Sequence, residues 1–169
     1  NAAARWPAEG TQAVTVEGRE STLRVVFAPV QYDFDGSGRL PDVSPATLEG
    51  YRARLLQLFP VSGVEVSVRE PIAWDEEIAA DGGGWNEIIA RLIDLRAEDG
   101  APDDAYYYGL FNPTETLAEF CSQGCLLGAT LLNDGPPSEG EVGLRLALGL
   151  GYPEYATDTI AHELGHAHG

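Results

Sequence analysis

The stretch STLRVVFAPVQY, Ser21–Tyr32, decides the fold through what comes after it. It is rich in Val and Leu and stops at the turn-rich DFDGSGRLPDVSP, which is the pattern of a strand. A helix then reads from Pro45 to Phe59. Ser44 is a good N-cap, Pro45 suits the first helical position, and Pro60 closes the segment. Leu48, Tyr51, Leu55, Leu58 and Phe59 recur at helical spacing and make one apolar face. Next, VEVSVREP alternates Val64, Val66 and Val68, the period of a strand with one buried face. Strand, helix, strand is a crossover unit, and crossover helices imply parallel pairing.

The same order continues outward. Ile72 to Gly84 is acidic and then glycine-rich, and reads as a surface loop. A second helix is expected over about Trp85–Ala97, with Trp85, Ile88, Ile89, Leu92 and Ile93 inward, ended by Gly100 and Pro102. AYYYGLFNP and CLLGATLL are strand candidates. After a Pro-Gly-acid loop, VGLRLALGLG reads as a buried strand, with a short helix as the competing reading. The last segment, from about Thr157, is a helix capped by Thr157 or Asp158. The expected fold is α/β, a three-layer-like sandwich on a mostly parallel twisted sheet, with residues 1–169 forming a single domain.

Composition limits the functions available. The 169 residues carry a formal net charge of −17, and every basic residue is Arg. Nucleic acid and anionic membranes both need clustered positive charge, so neither is an expected partner. No stretch approaches the roughly 18 apolar residues of a membrane span. The opening NAAARWP has neither an initiator Met nor a signal peptide, so a processed chain is expected. The only cysteines, Cys121 and Cys125, flank a Ser-Gln-Gly turn. They read either as a local disulfide, which implies an oxidising compartment, or as thiols that are free or paired elsewhere.

The chain's most specific motif lies in the terminal helix, DTIAHELGHAHG, Asp158–Gly169. His162 and His166 stand at i and i+4, on one helix face, where two imidazoles can meet one ion. Glu163 is about 100° further round the helix. It is poorly placed to be a ligand but can reach a water on the metal and act as general base. Ile160, Ala161 and Leu164 form the opposite, apolar face. Gly165 costs about 1 kcal/mol against Ala in a helix interior, which close packing against a neighbour would explain. His168, two residues past His166, points to another face and reads as a polar surface residue. A second candidate is Asp33, Asp35 and Asp42 in DFDGSGRLPD. Alternating carboxylates followed by Gly resemble the start of a calcium loop, although Ser44 stands where the closing Glu belongs. A plain polar turn is the other reading.

The closing residues HELGHAHG resemble the first two thirds of the metzincin zinc-protease signature, in which Gly follows the second His by three residues and a third His follows that Gly by three. GSGRLPDVSP and FPVSGVEVSVREP also resemble secreted bacterial metzincins, a mucin-cleaving group among them. The resemblance implies zinc held by His162 and His166, Glu163 as catalytic base, and Gly169 turning the chain under the metal. It also implies that GCLLGATLL contains an antiparallel edge strand, with Leu126, Leu127, Gly128 and Ala129 pairing to an extended protein or glycoprotein substrate, and that the protein is extracellular. The third His and the Met-turn would lie beyond Gly169. A downstream glutamate as third ligand, and a non-catalytic protease-like binding module, are the alternatives.

Overall fold

The computed structural model describes residues 21–131 and 145–168, together with Thr11 and Ala13. The loop expected after CLLGATLL, the start of VGLRLALGLG, the NAAARWP opening, Gly169 and the side chain of His168 lie outside the described residues.

The sheet is built on the Val-rich stretch that ends at Tyr32. Strand β1 (Thr22–Tyr32) pairs in parallel with β2 (Gly63–Val68), β3 (Ile72–Trp74) and β4 (Ala105–Phe111). β4 pairs in parallel with β6 (Leu146–Leu150), and β5 (Gly128–Thr130) runs antiparallel to β6. The order is β2-β1-β4-β6-β5, with β3 also on β1. The chain is therefore α/β with a mostly parallel six-stranded sheet, one antiparallel pair at its edge, and a C-terminal helix.

Strand alternation divides the core into two layers. Leu23, Val25 and Phe27 of β1, Tyr106, Tyr108 and Leu110 of β4, and Ala147 of β6 face one side. There they meet Tyr51 and Leu55 of α1 (Pro45–Leu58) and Ile160 and Leu164 of α4 (Ala156–His168). Val30 and Tyr32, Tyr107 and Phe111, and Leu146, Leu148 and Leu150 face the other side, against α2 (Trp85–Glu98) and the short α3 (Leu117–Phe120). Two-residue periodicity of this kind, apolar on both faces, is what a sheet covered on both sides demands.

Caps and glycines set the helix ends. The Ser44 side chain accepts from the Thr47 N–H, as its sequence position implies. Gly84 opens α2 at φ 81°, and a Cβ there would collide with the Glu77 carbonyl, so only Gly fits.

Several expectations need correction. Ile72–Trp74 is a strand, not loop; three residues after a Pro are too few to show a period. Leu58, the last residue of α1, is 53% exposed, and burial on that helix rests on Tyr51 and Leu55. Ile93 is 37% exposed at the margin of the α2 stripe, where Leu95 and Arg96 are buried instead. The guanidinium of Arg96 reaches the carbonyls of Pro102, Asp103 and Ala105, which is how a cation tolerates that position. Val68, at the end of β2, is exposed. Helix α4 begins at Ala156, so Thr157 and Asp158 belong to its first turn, where Asp158 pairs with Arg54.

Candidate metal centre

Helix α4 is amphipathic in the sense that a metal site needs. Ile160, Ala161, Leu164 and Ala167 are buried against the sheet and α1, which fixes the helix's rotation. The same rotation leaves His162 and His166 exposed. Their Nε2 atoms stand 3.1 Å apart, with ring centroids 4.6 Å apart and planes nearly perpendicular at 86°. Two nitrogens each about 2.0–2.1 Å from one tetrahedral ion would be separated by roughly 3.4 Å. The observed separation is close to that spacing. The same separation also accommodates a direct hydrogen bond between the rings.

Glu163 takes a different environment from its neighbour. It is buried, at 8% exposure, and its side chain lies against Gly128 of the edge strand. A Cβ at position 128 would fall 2.6 Å from Cγ and 2.8 Å from Oε1 of Glu163, and 2.7 Å from Cγ2 of Thr159. Gly128 is therefore the space that this carboxylate occupies. Burial raises the Glu163 carboxyl above the ordinary carboxylate range, and the adjacent His162 and His166 pull it back in part. Gly128 lies opposite Gly149 in the β5–β6 register. A Cβ at Gly149 would strike the Tyr108 hydroxyl. That hydroxyl is fully buried without a hydrogen-bond partner among the described residues, and burial, with the Glu163 charge second, holds it neutral.

A cleft of about 480 Å³ opens along this boundary, lined by Leu126, Leu127 and Gly128 on the strand side and Tyr155, Thr159, His162 and Glu163 on the helix side. Of the motif, His162 and Glu163 line the cleft and His166 does not; of the edge segment, Leu126, Leu127 and Gly128 line it and Ala129 does not. Gly128 and Ala129 belong to β5, the last strand of the sheet order. Leu126 and Leu127 lead into it, anchored by the Leu126 N–H to the Ala80 carbonyl and by the Leu127 carbonyl to the Leu150 N–H. Cys121 and Cys125 form a disulfide at the start of this segment, and Cys125 lines the cleft.

The sequence singles out neither Thr159, Tyr155 nor Gly149, and it marks Gly128 only as part of the edge strand, not as the space for Glu163. Thr159 stands one helical turn before Glu163, and that spacing was signal enough. Gly128 is 35 positions away in the chain, and nothing local marks that role.

The turn carboxylates do not converge. Asp33 accepts from the Gly38 N–H, Asp35 from Arg39 and the Ser37 N–H, and Asp42 from Ser44 and Thr47. Each serves its own turn or cap. Among the described residues no group of three or more His, Cys, Asp or Glu is arranged to hold a metal, so any third ligand to the His162–His166 pair lies outside them. Among the described residues nothing stands where a Cβ at Gly165 would be, so none of them supplies the close packing expected there. No helix among the described residues is long and apolar enough to cross a membrane.

No family model matches this chain, and no curated protein matches it at a significant level.

Proposed function

We propose that this chain carries the catalytic helix of a secreted zinc-dependent endopeptidase of metzincin type. The observation that carries the reading is the proximity of two exposed imidazole nitrogens, 3.1 Å apart, to one buried carboxyl beside a sheet edge that has no strand partner among the described residues. His162 and His166 would hold zinc through Nε2. Zinc, when bound, supplies Lewis acidity toward a carbonyl oxygen and toward water. The chain's own groups do the rest. The outer edge of β5, without a strand partner among the described residues, offers backbone N–H and C=O groups to an extended protein or glycoprotein substrate, which aligns the scissile bond along the cleft. Glu163 takes a proton from the attacking water and returns it to the leaving amine nitrogen. A carboxyl with a raised proton affinity suits that exchange better than a solvated one. The Cys121–Cys125 bridge agrees with an extracellular setting.

The test is digestion of casein or mucin by the whole chain, with and without a chelator, repeated with Glu163→Gln. Cleavage that stops with the chelator and in the variant is the expected result. Cleavage at the wild-type rate by Glu163→Gln would remove the proposed base. The absence of a third ligand among the described residues favours a second reading, a protease-like module that binds peptide without cutting it. That reading predicts a chain without bound zinc.

A further inference from the structure

The Tyr108 hydroxyl is fully buried and has no hydrogen-bond partner among the described residues. A hydroxyl in that state has lost its bonds to water and gained none in return, so folded proteins rarely keep one without a use. Phenylalanine would fill the same space without that penalty. The place of Tyr108 in the fold says what the use is.

Tyr108 stands on β4, on the sheet face that α4 covers. β6 lies beside β4, and β5 beside β6. The Tyr108 ring packs at 62° against Phe27, with centroids 6.0 Å apart, and its hydroxyl reaches sideways over Gly149 of β6. Only Gly allows this, because a Cβ at position 149 would collide with the hydroxyl. From the opposite side, Glu163 descends from α4 into the room that Gly128 leaves on β5. Gly128 and Gly149 are direct partners in the β5–β6 ladder, so their missing Cβ positions share one face, about 4.5–5.5 Å apart. Thr159 Cγ2 borders both positions, at 2.7 Å and 3.3 Å. The hydroxyl and the carboxyl therefore approach each other from the two ends of a two-glycine floor. Burial, with the Glu163 charge second, keeps the hydroxyl protonated, so it has a proton to donate. The carboxylate has no competing donor among the described residues, and the last torsion of a Glu side chain is soft.

We infer that Tyr108 is a positioning residue for Glu163: as the carboxylate turns over the glycine floor, the hydroxyl donates a hydrogen bond to one of its oxygens and leaves the other facing the attacking water. The inference rests on the peptidase reading for what that carboxylate does, and not for the contact itself. The phenolic proton stays on Tyr108 throughout, and Glu163 alone carries a proton between water and the leaving amine. Tyr108 supplies a fixed direction for the free oxygen, and with it the geometry of attack.

Tyr108→Phe removes the hydroxyl and keeps the ring, so the fold is preserved. Two measurements on the whole chain test the inference. The first is a double-mutant cycle in urea unfolding of the metal-free chain at neutral pH, with Glu163→Met as the second change. Met keeps the length and burial of the side chain and has no oxygen. Tyr108→Phe should lower the folding equilibrium constant about tenfold in the wild-type background, the net worth of one hydrogen bond, and should not lower it in Glu163→Met. The same change in both backgrounds overturns the proposal. The second is hydrolysis of a casein-derived peptide by the zinc-loaded chain. Tyr108→Phe should lower kcat about tenfold with KM and zinc content unchanged. An unchanged kcat, or a fall matched by lost zinc, also overturns it. Wild-type chain that never cleaves while the cycle shows coupling removes the peptidase reading and keeps the Tyr108–Glu163 contact. Cleavage that stops in Glu163→Gln, with no coupling in the cycle, does the reverse.

Discussion

Two acidic regions of this molecule look alike in the sequence and differ in kind in the structure. The turn from Asp33 to Ser44 is dense in carboxylates, and every one of its three Asp side chains accepts hydrogen bonds from its own loop. Bonds from Ser37 and Arg39 hold the Asp35 carboxyl down at about 2. Glu163 has no such donors. Its carboxylate makes no hydrogen bond among the described residues, and burial moves its proton affinity the opposite way. A carboxylate surrounded by donors is spent on structure. One that is desolvated and left free beside two imidazoles has its chemistry still available.

The largest expected effect breaks the cleft half of this contrast. Glu163→Gln should lower peptide hydrolysis by about 10²–10⁴-fold, the usual worth of a general base, in an assay of kcat/KM. It should also sharpen the electrostatic half. A raised carboxyl contributes stability in acid and loses it as pH rises through its own titration. The metal-free variant should therefore melt higher than wild type at neutral pH, and the gain should vanish in acid, which thermal melts across pH would show.

Gly128→Ala comes next. The new methyl would overlap Glu163 and Thr159, and displacing a catalytic group by about 1 Å costs on the order of 10²-fold. Loss of kcat with an unchanged far-ultraviolet spectrum is the expected result, and full activity would show that the carboxylate does not need this space.

Much of this arrangement was legible in the sequence. The helix period puts His162 and His166 together and Ile160 and Leu164 behind them, because those contacts are one turn apart. β1, α1 and β4 are equally plain, since each buries a long enough stretch to show its period. What stayed hidden depends on distant partners. Ile72–Trp74 is a strand only because β1 lies beside it. Gly128 matters only because Glu163 arrives from a helix far along the chain. The three turn carboxylates imitate a calcium loop by spacing, and only the donors around each one show where they are used.

Smaller effects test the supporting structure. Gly165→Ala should stabilise the chain by about 1 kcal/mol in chemical denaturation, since a methyl there meets nothing among the described residues. A loss of stability would point to a contact that the described residues do not include. On the turn side, Asp35 should titrate near pH 2 by NMR, against an ordinary 3.8, with the turn's contribution to stability kept at neutral pH and lost as pH falls through that value. Arg39→Ala should move the midpoint up. A midpoint already at the ordinary value would erase the contrast from this side.

The central claim is that His162 and His166 grip one divalent ion, and zinc content tests it most directly. The whole chain, equilibrated with zinc and freed of excess, should retain about one zinc per molecule by atomic absorption, and His162→Ala and His166→Ala should each retain none. Wild-type chain without zinc, or equal zinc in all three proteins, would contradict the account.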